Sequence, residues 1–316
     1  MEIRLQNLIV SFNAIAPLFL LIIIGFFIRQ KGLLRSDALP QLNSLAFTIF
    51  LPALLFNNLY TTNVESAFSP RLIGYAVFAA LTMYGLAVAV VCLLEKDSKN
   101  RGAMIQAIYR SNFVLLGLPI VQTLFAGQDL GATSVVVAVI VPIFNVLAVV
   151  TLEVFRGGRV KWGKVLLGII KNPLIIASLL GFCCMLLGIT LPTFLHTAVV
   201  DLSKAATPVS LVVLGASIQL SAFAGNMRNL VICVLGRLVV APLIFVTGGA
   251  LLGFRGIELA TLLVMLAAPT AVSSFTMAQQ MDSNGELAAE AVVMTSALSC
   301  VTLFLWIFVF KQLGLI

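Results

Sequence analysis

Two short segments of the chain combine helix-breaking residues with amide and hydroxyl side chains inside otherwise apolar sequence. These residues are Asn112, Gly117 and Pro119 in the first segment, and Pro269, Thr270 and Ser273 in the second. Proline lacks a backbone N–H and clashes with the preceding turn, so each segment predicts a broken or kinked helix. If both helices break and the breaks cross, two helix N-termini face one cavity and favour an anion there. The pair of segments therefore predicts an anion-binding site.

Each residue near these breaks also has a structural interpretation. The prolines could be simple kinks, which membrane helices tolerate. The Asn112 amide could donate to a carboxylate or to a neighbouring helix. Thr270 and Ser273 could contact a ligand, or could cap the helix that follows. Asn145 is a further candidate for binding, on a separate segment of the sequence.

The composition decides which elements position these residues. Of the 316 residues, 61% are hydrophobic and 10% are charged, and the mean hydropathy is +1.13. A soluble domain averages about 45–50% apolar and about 25% charged residues. Too few charged side chains are present to cover a soluble globule, and disordered chains lack apolar residues. The sequence therefore predicts an all-α polytopic membrane protein whose partner is the lipid bilayer.

About ten transmembrane helices fit the apolar windows, because a helix needs about 20 mostly apolar residues to cross a bilayer. The predicted spans are 8–28, 38–59, 71–94, 102–126, 132–155, 165–188, 203–222, 229–253, 257–281 and 287–311. Barrel strands would instead alternate over about 10 residues. The two breaks fall in the fourth and ninth spans, so these are the predicted crossover helices.

The net charge of +7 is explained by orientation rather than by a nucleic-acid partner. Lysine and arginine favour cytoplasmic loops. They cluster after the first, third and fifth spans: Arg29, Lys31, Arg35; Lys96, Lys99, Arg101; Arg156, Arg159, Lys161, Lys164. The loops after the fourth and sixth spans contain neither residue type. The pattern predicts a multi-pass protein of the cell membrane with both termini outside.

The chain contains an internal repeat. Residues 17–26 read PLFLLIIIGF and residues 173–182 read PLIIASLLGF, a shift of 156 that also relates Pro52 to Pro208. Residues 116–125 resemble residues 266–275. The predicted units are 1–155 and 165–316, joined by a short cytoplasmic connection at 156–164. Because five spans are an odd number, the second unit must be inverted, as in many secondary transporters. Pro52 and Pro208 either bend their helices around the site or are plain kinks.

Ionisable residues inside the predicted spans are few, and each is a functional candidate by default. They are Arg110, Glu153, Lys171, Asp201, Lys204, Arg237 and Glu290. Asp201 and Lys204 are predicted to neutralise each other, because they are three residues apart on one helix. Glu290 is a candidate for proton coupling, and coupling to protons or to sodium stays open. No metal-ligand or hydrolase motif accompanies the single histidine, so neither a cofactor nor an enzyme is predicted.

The motifs in this order resemble those of the auxin efflux carrier family over essentially the whole chain. The matching segments are Leu51–Phe56, Asn112 with Gly117–Pro119, Asn172–Pro173, Pro208 with Leu214–Gly215, and Ala268–Pro269. The resemblance implies two inverted five-helix units, elevator-type movement, organic-anion substrates and a homodimer. Two features depart from the plant members: the connection between the halves is short, and Thr270 stands where plant exporters have glutamine. Auxin itself is therefore not implied.

The sequence favours a secondary active transporter of small organic anions, either auxin-like or mono- and dicarboxylic acids. The alternative is a membrane channel. A channel would tend to need a continuous polar pore lining, and no predicted span shows a full polar stripe.

Overall fold

A computed structural model gives the fold of the protein. The structure describes residues 17, 20–35, 37–61, 69–113, 117, 120–121, 124–125, 128, 130–156, 162–217 and 223–316.

The described part of the chain is helical throughout, apart from its connections and one isolated β-bridge. Its helices are α1 (Leu20–Gln30), α2 (Ala38–Tyr60), α3 (Pro70–Leu94), α4 (Ser98–Tyr109), α5 (Gly131–Phe155), α6 (Trp162–Lys171), α7 (Pro173–Leu187), α8 (Thr193–Ser217), α9 (Gly225–Leu251), α10 (Gly256–Ala267), α11 (Val272–Gln280) and α12 (Gly285–Gln312). Six of them, α2, α3, α5, α8, α9 and α12, are long and apolar enough to cross a membrane. Shorter apolar helices are α1, α7 and α10.

Several predicted spans agree with the helices to within a few residues, and others need correction. The predicted start at residue 203 is wrong, because α8 begins at Thr193, directly after Pro192. The predicted span 165–188 is two helices, since the Asn172 side chain accepts from the Leu174 N–H at 2.9 Å and begins α7. The predicted span 8–28 lies partly outside the described residues.

Two of the long helices contain π-helical turns next to a proline. In α2 the π segment Ala46–Phe50 precedes Pro52, and in α9 the segments Gly236–Val240 and Pro242–Val246 flank residue 241. A proline cannot complete the regular α-helical ladder, and wider turns are one way to absorb that defect. Pro52 therefore lies inside a helix that continues to Tyr60, and it does not end that helix.

Two close helix contacts between the repeats correspond to each other when residue numbers are shifted by 156. A Cβ at Gly25 of α1 would collide with the backbone of Val212 in α8. A Cβ at Gly181 of α7 would lie 2.8 Å from the backbone oxygen of Phe56 in α2. Adding 156 to positions 25 and 56 gives positions 181 and 212. The two helix crossings are thus equivalent, and in each a first-span helix of one repeat packs on the second-span helix of the other.

The helices that carry the predicted breaks lie at the centre of the bundle. Residues 259–267 of α10 and residues 102–109 of α4 are all buried. Outer helices instead expose large apolar side chains, among them Leu93, Leu187 and Leu251. Large exposed apolar surface is rare on soluble proteins. The bundle is therefore built to face lipid with α4 and α10 shielded inside it.

Candidate functional site

The two interrupted segments meet and hydrogen-bond to each other. Helix α4 ends at Tyr109, and the chain between α10 and α11 is extended from Ala268 to Ala271. Ser111 and Thr270 form an antiparallel bridge. The place where the two segments meet at this bridge is called the crossing below. The bridge is held by the Asn112 N–H, which donates to the Pro269 carbonyl at 2.8 Å, and by the Ala271 N–H, which donates to the Arg110 carbonyl at 3.1 Å.

The N-terminal end of α4 and the C-terminal end of α11 lie together, away from the crossing, and this contact shows the direction of both helices. Lys99 Nζ donates to Asp282 at 2.8 Å, and Ser283 Oγ donates to the Lys99 carbonyl at 2.8 Å. The contact with Lys99 lowers the pKa of the exposed Asp282 carboxyl. Helix α4 therefore runs inward from this end, and α11 runs back to it from the crossing. The N-terminus of α11 lies at the crossing itself.

A cavity of about 70 Å³ lies beside the crossing and draws its lining from both repeats. The polar lining from the first half comprises Asn58, Arg110, Ser111, Asn112 and Asn145. The polar lining from the second half comprises Thr207, Ser210 and Ser273. None of these lining side chains is a carboxylate, so the polar surface is made of a cation, amides and hydroxyls.

Arg110 supplies the positive charge of the cavity and is only 3% exposed. Its Nη2 donates to Asn145 Oδ1 at 2.6 Å, and its Nη1 donates to Gln106 Oε1 at 3.2 Å and to Met277 Sδ at 2.8 Å. All three partners are neutral. Across the described ranges, Arg110 forms no ion pair with a carboxylate. Arginine keeps its charge in proteins, so a buried cation faces the cavity uncompensated.

Three donors around the cavity are buried without a hydrogen-bond partner among the residues described. They are Ser111 Oγ, Asn112 Nδ2 and Ser210 Oγ. Buried polar groups in proteins are nearly always hydrogen-bonded, because an unsatisfied one costs about 1–3 kcal/mol. An anion in the cavity could accept hydrogen bonds from these donors and would also compensate the charge of Arg110.

The N-terminus of α11 adds to this positive character. Its N-cap is Ala271, and no side chain caps it. The interpretation of Thr270 or Ser273 as a capping residue is therefore wrong. The uncapped first turn, at Val272 and Ser273, forms part of the cavity lining. Free N–H groups and the helix dipole favour an anion at that place.

Of the residues predicted for the site, three line the cavity: Asn112, Asn145 and Ser273. Asn145 has both polar atoms engaged, since its Oδ1 accepts from Arg110 and its Nδ2 donates to Ser178 Oγ at 3.3 Å. It orients the guanidinium. Asn112 Nδ2 has no hydrogen-bond partner among the described residues, and Ser273 lies on the first turn of α11.

The other predicted residues lie beside the cavity or elsewhere. Pro269 and Thr270 build the crossing, where Thr270 Oγ1 donates to the Ala107 carbonyl at 2.7 Å. Gly117 packs against α10, since a Cβ there would lie 3.1 Å from the Val264 side chain. Pro52 lies in α2 and does not line the cavity. Pro119 lies outside the described residues.

Sequence reasoning noted Arg110 as an ionisable residue but did not assign it to the site. It missed Ser111 and Ser210 entirely. The available signal was the position of Arg110, a cation two residues before Asn112 at the edge of a predicted break. Charged residues inside membrane spans mark substrate and ion pathways. That rule, applied to Arg110 together with Asn112, would have included Arg110 among the candidate residues.

The comparisons with known proteins agree with a transporter. The profile of a family described as "Membrane transport protein" matches residues 10–162 and again residues 159–307. An uncharacterized transporter of Methanocaldococcus jannaschii is 23% identical over 310 residues, covering 94% of this chain and 98% of that protein. A protein of Rhizobium meliloti named "Putative malonate transporter" is 23% identical over 301 residues, covering 91% of this chain and 92% of that protein.

These matches confirm the duplication and the family that the motifs indicated. The double match spans nearly the whole chain, as the internal repeat predicted. The long apolar helices agree with a protein that crosses the bilayer several times. The chain therefore belongs to the membrane transport protein family, the family of auxin efflux carrier-like proteins, and it is a multi-pass membrane transporter.

Proposed function

We propose that the protein is a secondary active transporter of small organic anions, with its substrate site in the cavity at the crossing. The observation that carries the proposal is the buried Arg110 guanidinium, whose partners among the described residues are all neutral and which lines one cavity with unsatisfied donors. Arginine binds a carboxylate through two parallel N–H groups, which gives both strength and geometry. A carboxylate is thus the group that this cavity fits best.

The size of the cavity supports a short acid. One water molecule needs about 10–15 Å³ of cavity volume. The cavity of about 70 Å³ therefore holds roughly five to seven groups of the size of a water molecule. A three-carbon dicarboxylate has about that many non-hydrogen atoms, whereas an indole acid has about twice as many. The name of the Rhizobium meliloti relative points to the same class of substrate. We infer that short mono- and dicarboxylic acids are preferred over auxin-like acids.

A carrier fits the arrangement better than a channel does. The cavity is small and lies among apolar side chains such as Leu51, Phe144 and Leu174. The equivalent crossings at Gly25 and Gly181 support a two-fold relation between inverted repeats, which is the arrangement that many carriers use for alternating access. We infer ten spans and an elevator-type movement that carries the crossing, and with it the substrate, across the membrane.

The direct test is uptake by purified protein in proteoliposomes. Labelled malonate, succinate, acetate and indole-3-acetate are compared, each with and without a proton or sodium gradient. We expect saturable uptake of the short acids, with indole-3-acetate a poor competitor. Folded protein that transports none of these acids would contradict the proposal, and unitary single-channel currents would favour the channel.

Asn112→Ala is expected to weaken substrate affinity without unfolding the protein. The free Nδ2 group contributes one neutral hydrogen bond, worth about 0.5–1.5 kcal/mol, which corresponds to about a 2- to 10-fold rise in KM. The backbone N–H of Asn112 still reaches Pro269, so the crossing is kept. Asn229→Ala is the control, because that amide donates to Glu95 away from the cavity. An unchanged KM in Asn112→Ala would remove this residue from the site.

From the distribution of lysine and arginine we infer that both termini lie outside the cell. In a cysteine-free background, we expect Leu313→Cys to react with an impermeant maleimide added to intact cells. Lys96→Cys should react only after the cells are permeabilised. Both positions are exposed, so access to reagent depends on the side of the membrane. The opposite labelling pattern would show that the orientation is reversed.

A further inference from the structure

A second arginine is buried in the bundle, and the substrate site does not use it. Arg237 lies in the π-helical segment Gly236–Val240 of α9, and its exposed fraction is 0%. It is not part of the cavity lining. A charged side chain inside a membrane span is costly, so Arg237 is a functional candidate.

All of its oxygen partners are backbone carbonyls at the ends of the two interrupted helices. At the end of α10, Arg237 Nε donates to the Ala268 carbonyl at 2.7 Å and Nη2 donates to the Met265 carbonyl at 2.8 Å. At the end of α4, Nη1 donates to the carbonyls of Tyr109 at 3.1 Å and Ile108 at 3.4 Å. One guanidinium therefore holds both helix ends at the crossing.

The C-terminal ends of α4 and α10 create a negative electrostatic potential around Arg237 that favours a cation. The last carbonyls of a helix have no partner within the helix, and they carry the negative end of its dipole. Here two such ends, those of α4 and α10, converge in the buried interior. Within the part of the chain that is described, Arg237 has no carboxylate partner, so its charge is stabilised by carbonyl dipoles, with the Met83 sulfur 4.0 Å from Nη1 as a further contact.

In many secondary transporters built on interrupted helices, unwound carbonyls and helix C-termini coordinate a sodium ion or bind a proton. Given the proposed transport function, we propose that Arg237 is a tethered cation that occupies the place of such a coupling ion. It is a positioning residue, because it fixes the crossing that holds Arg110 and Asn112 and does not itself touch the substrate. Transport is then independent of a sodium gradient.

The side chain is suited to this role in a way that lysine is not. Arginine offers five N–H donors in a planar fork, whereas lysine offers three donors around one point charge. Four carbonyls from two helices are reached here by three nitrogens of one fork. We therefore expect Arg237→Lys to keep part of the activity and Arg237→Ala to lose it.

The first experiment uses the unaltered protein in proteoliposomes. Uptake of labelled malonate is measured with sodium, potassium or choline outside, at fixed membrane potential and pH. Equal rates in the three salts are expected. Uptake that requires sodium would overturn the inference while leaving the proposed function intact. No uptake in any salt would instead count against the proposed function.

The second experiment asks whether a free cation replaces the side chain. Arg237→Ala is expected to lower uptake about tenfold or more, since several charge-assisted hydrogen bonds are lost. Added guanidinium or sodium should restore a measurable part of the rate. Arg110→Gln is the matched control, and neither ion should restore it. Full activity of Arg237→Ala without either ion would overturn the inference, and so would a folded Arg237→Ala protein that neither ion rescues. If that variant does not fold, the salt comparison on the unaltered protein decides alone.

Discussion

Arg110→Gln is expected to raise the KM for a short carboxylate about 10- to 150-fold. A hydrogen bond to a charged group is worth about 1.5–3 kcal/mol, and each 1.4 kcal/mol is a factor of ten in affinity. Glutamine keeps a donor at this position but removes the charge that faces the cavity. Gln106 and Asn145, which hold the guanidinium, remain in place. The concentration dependence of initial uptake rates measures the effect.

Arg228→Gln is the matched control for this substitution. Arg228 is exposed, donates to the Leu94 carbonyl at 3.0 Å, and does not line the cavity. Its substitution should leave the KM within about twofold, because exposed charges contribute little. The KM of Arg110→Lys should lie between those of Arg228→Gln and Arg110→Gln. Lysine keeps the charge but loses the planar fork of N–H groups that matches a carboxylate. Equal KM values for Arg110→Gln and Arg228→Gln would show that Arg110 does not bind substrate.

Gly215→Ala is expected to destabilise the fold strongly, although it adds a single methyl group. The new Cβ would overlap the backbone of Ile22 in α1 and lie 2.8 Å from its carbonyl carbon. Backbone cannot rotate away as a side chain can, so α1 and α8 would have to separate. Overpacking of this kind typically costs about 1–3 kcal/mol, and more where the backbone must move. Thermal unfolding in detergent and recovery on gel filtration measure the effect.

Gly85→Ala makes the same chemical change where the structure leaves room. Among the residues that the structure describes, no side chain and no backbone of another element lies within 4 Å of a Cβ at Gly85 in α3. Alanine is favoured over glycine in a helix interior by roughly 0.5–1 kcal/mol, so this variant should be neutral or slightly more stable. The unfolding temperature should therefore fall in Gly215→Ala and stay unchanged or rise slightly in Gly85→Ala. A similar shift in both would mean that α1 and α8 do not cross closely at Gly215.

Composition and spacing were sufficient for the helical class, the repeat and most long spans. The end of α10 just before Pro269 was also predictable, because proline lacks a backbone N–H and clashes with the preceding helical turn. The first interruption was predicted at Pro119, whereas α4 already ends at Tyr109. The extended residues there are held by the bridge between Ser111 and Thr270. A contact across some 160 residues of sequence decides that boundary, and no local pattern contains it.

The role that we propose for Arg110 could not be predicted from the sequence for the same reason. The sequence shows a cation in an apolar span, which could equally be paired with an acid from another helix. Its partners come from Gln106, Asn145 and Met277, two of them distant in sequence. Only their positions in space show that the charge lacks an acidic partner in the described part of the chain. The prediction for Asp201 and Lys204 was local, and it is confirmed by their ion pair at 3.5 Å.

Equilibrium binding of labelled malonate to the purified protein tests most directly whether the crossing holds an anion. The account predicts one saturable site per chain, which is retained in Arg228→Gln and weakened at least tenfold in Arg110→Gln. It also predicts competition by other short carboxylates and little competition by a neutral amide of the same size. Binding of equal strength in the unaltered protein and in folded Arg110→Gln would contradict the account.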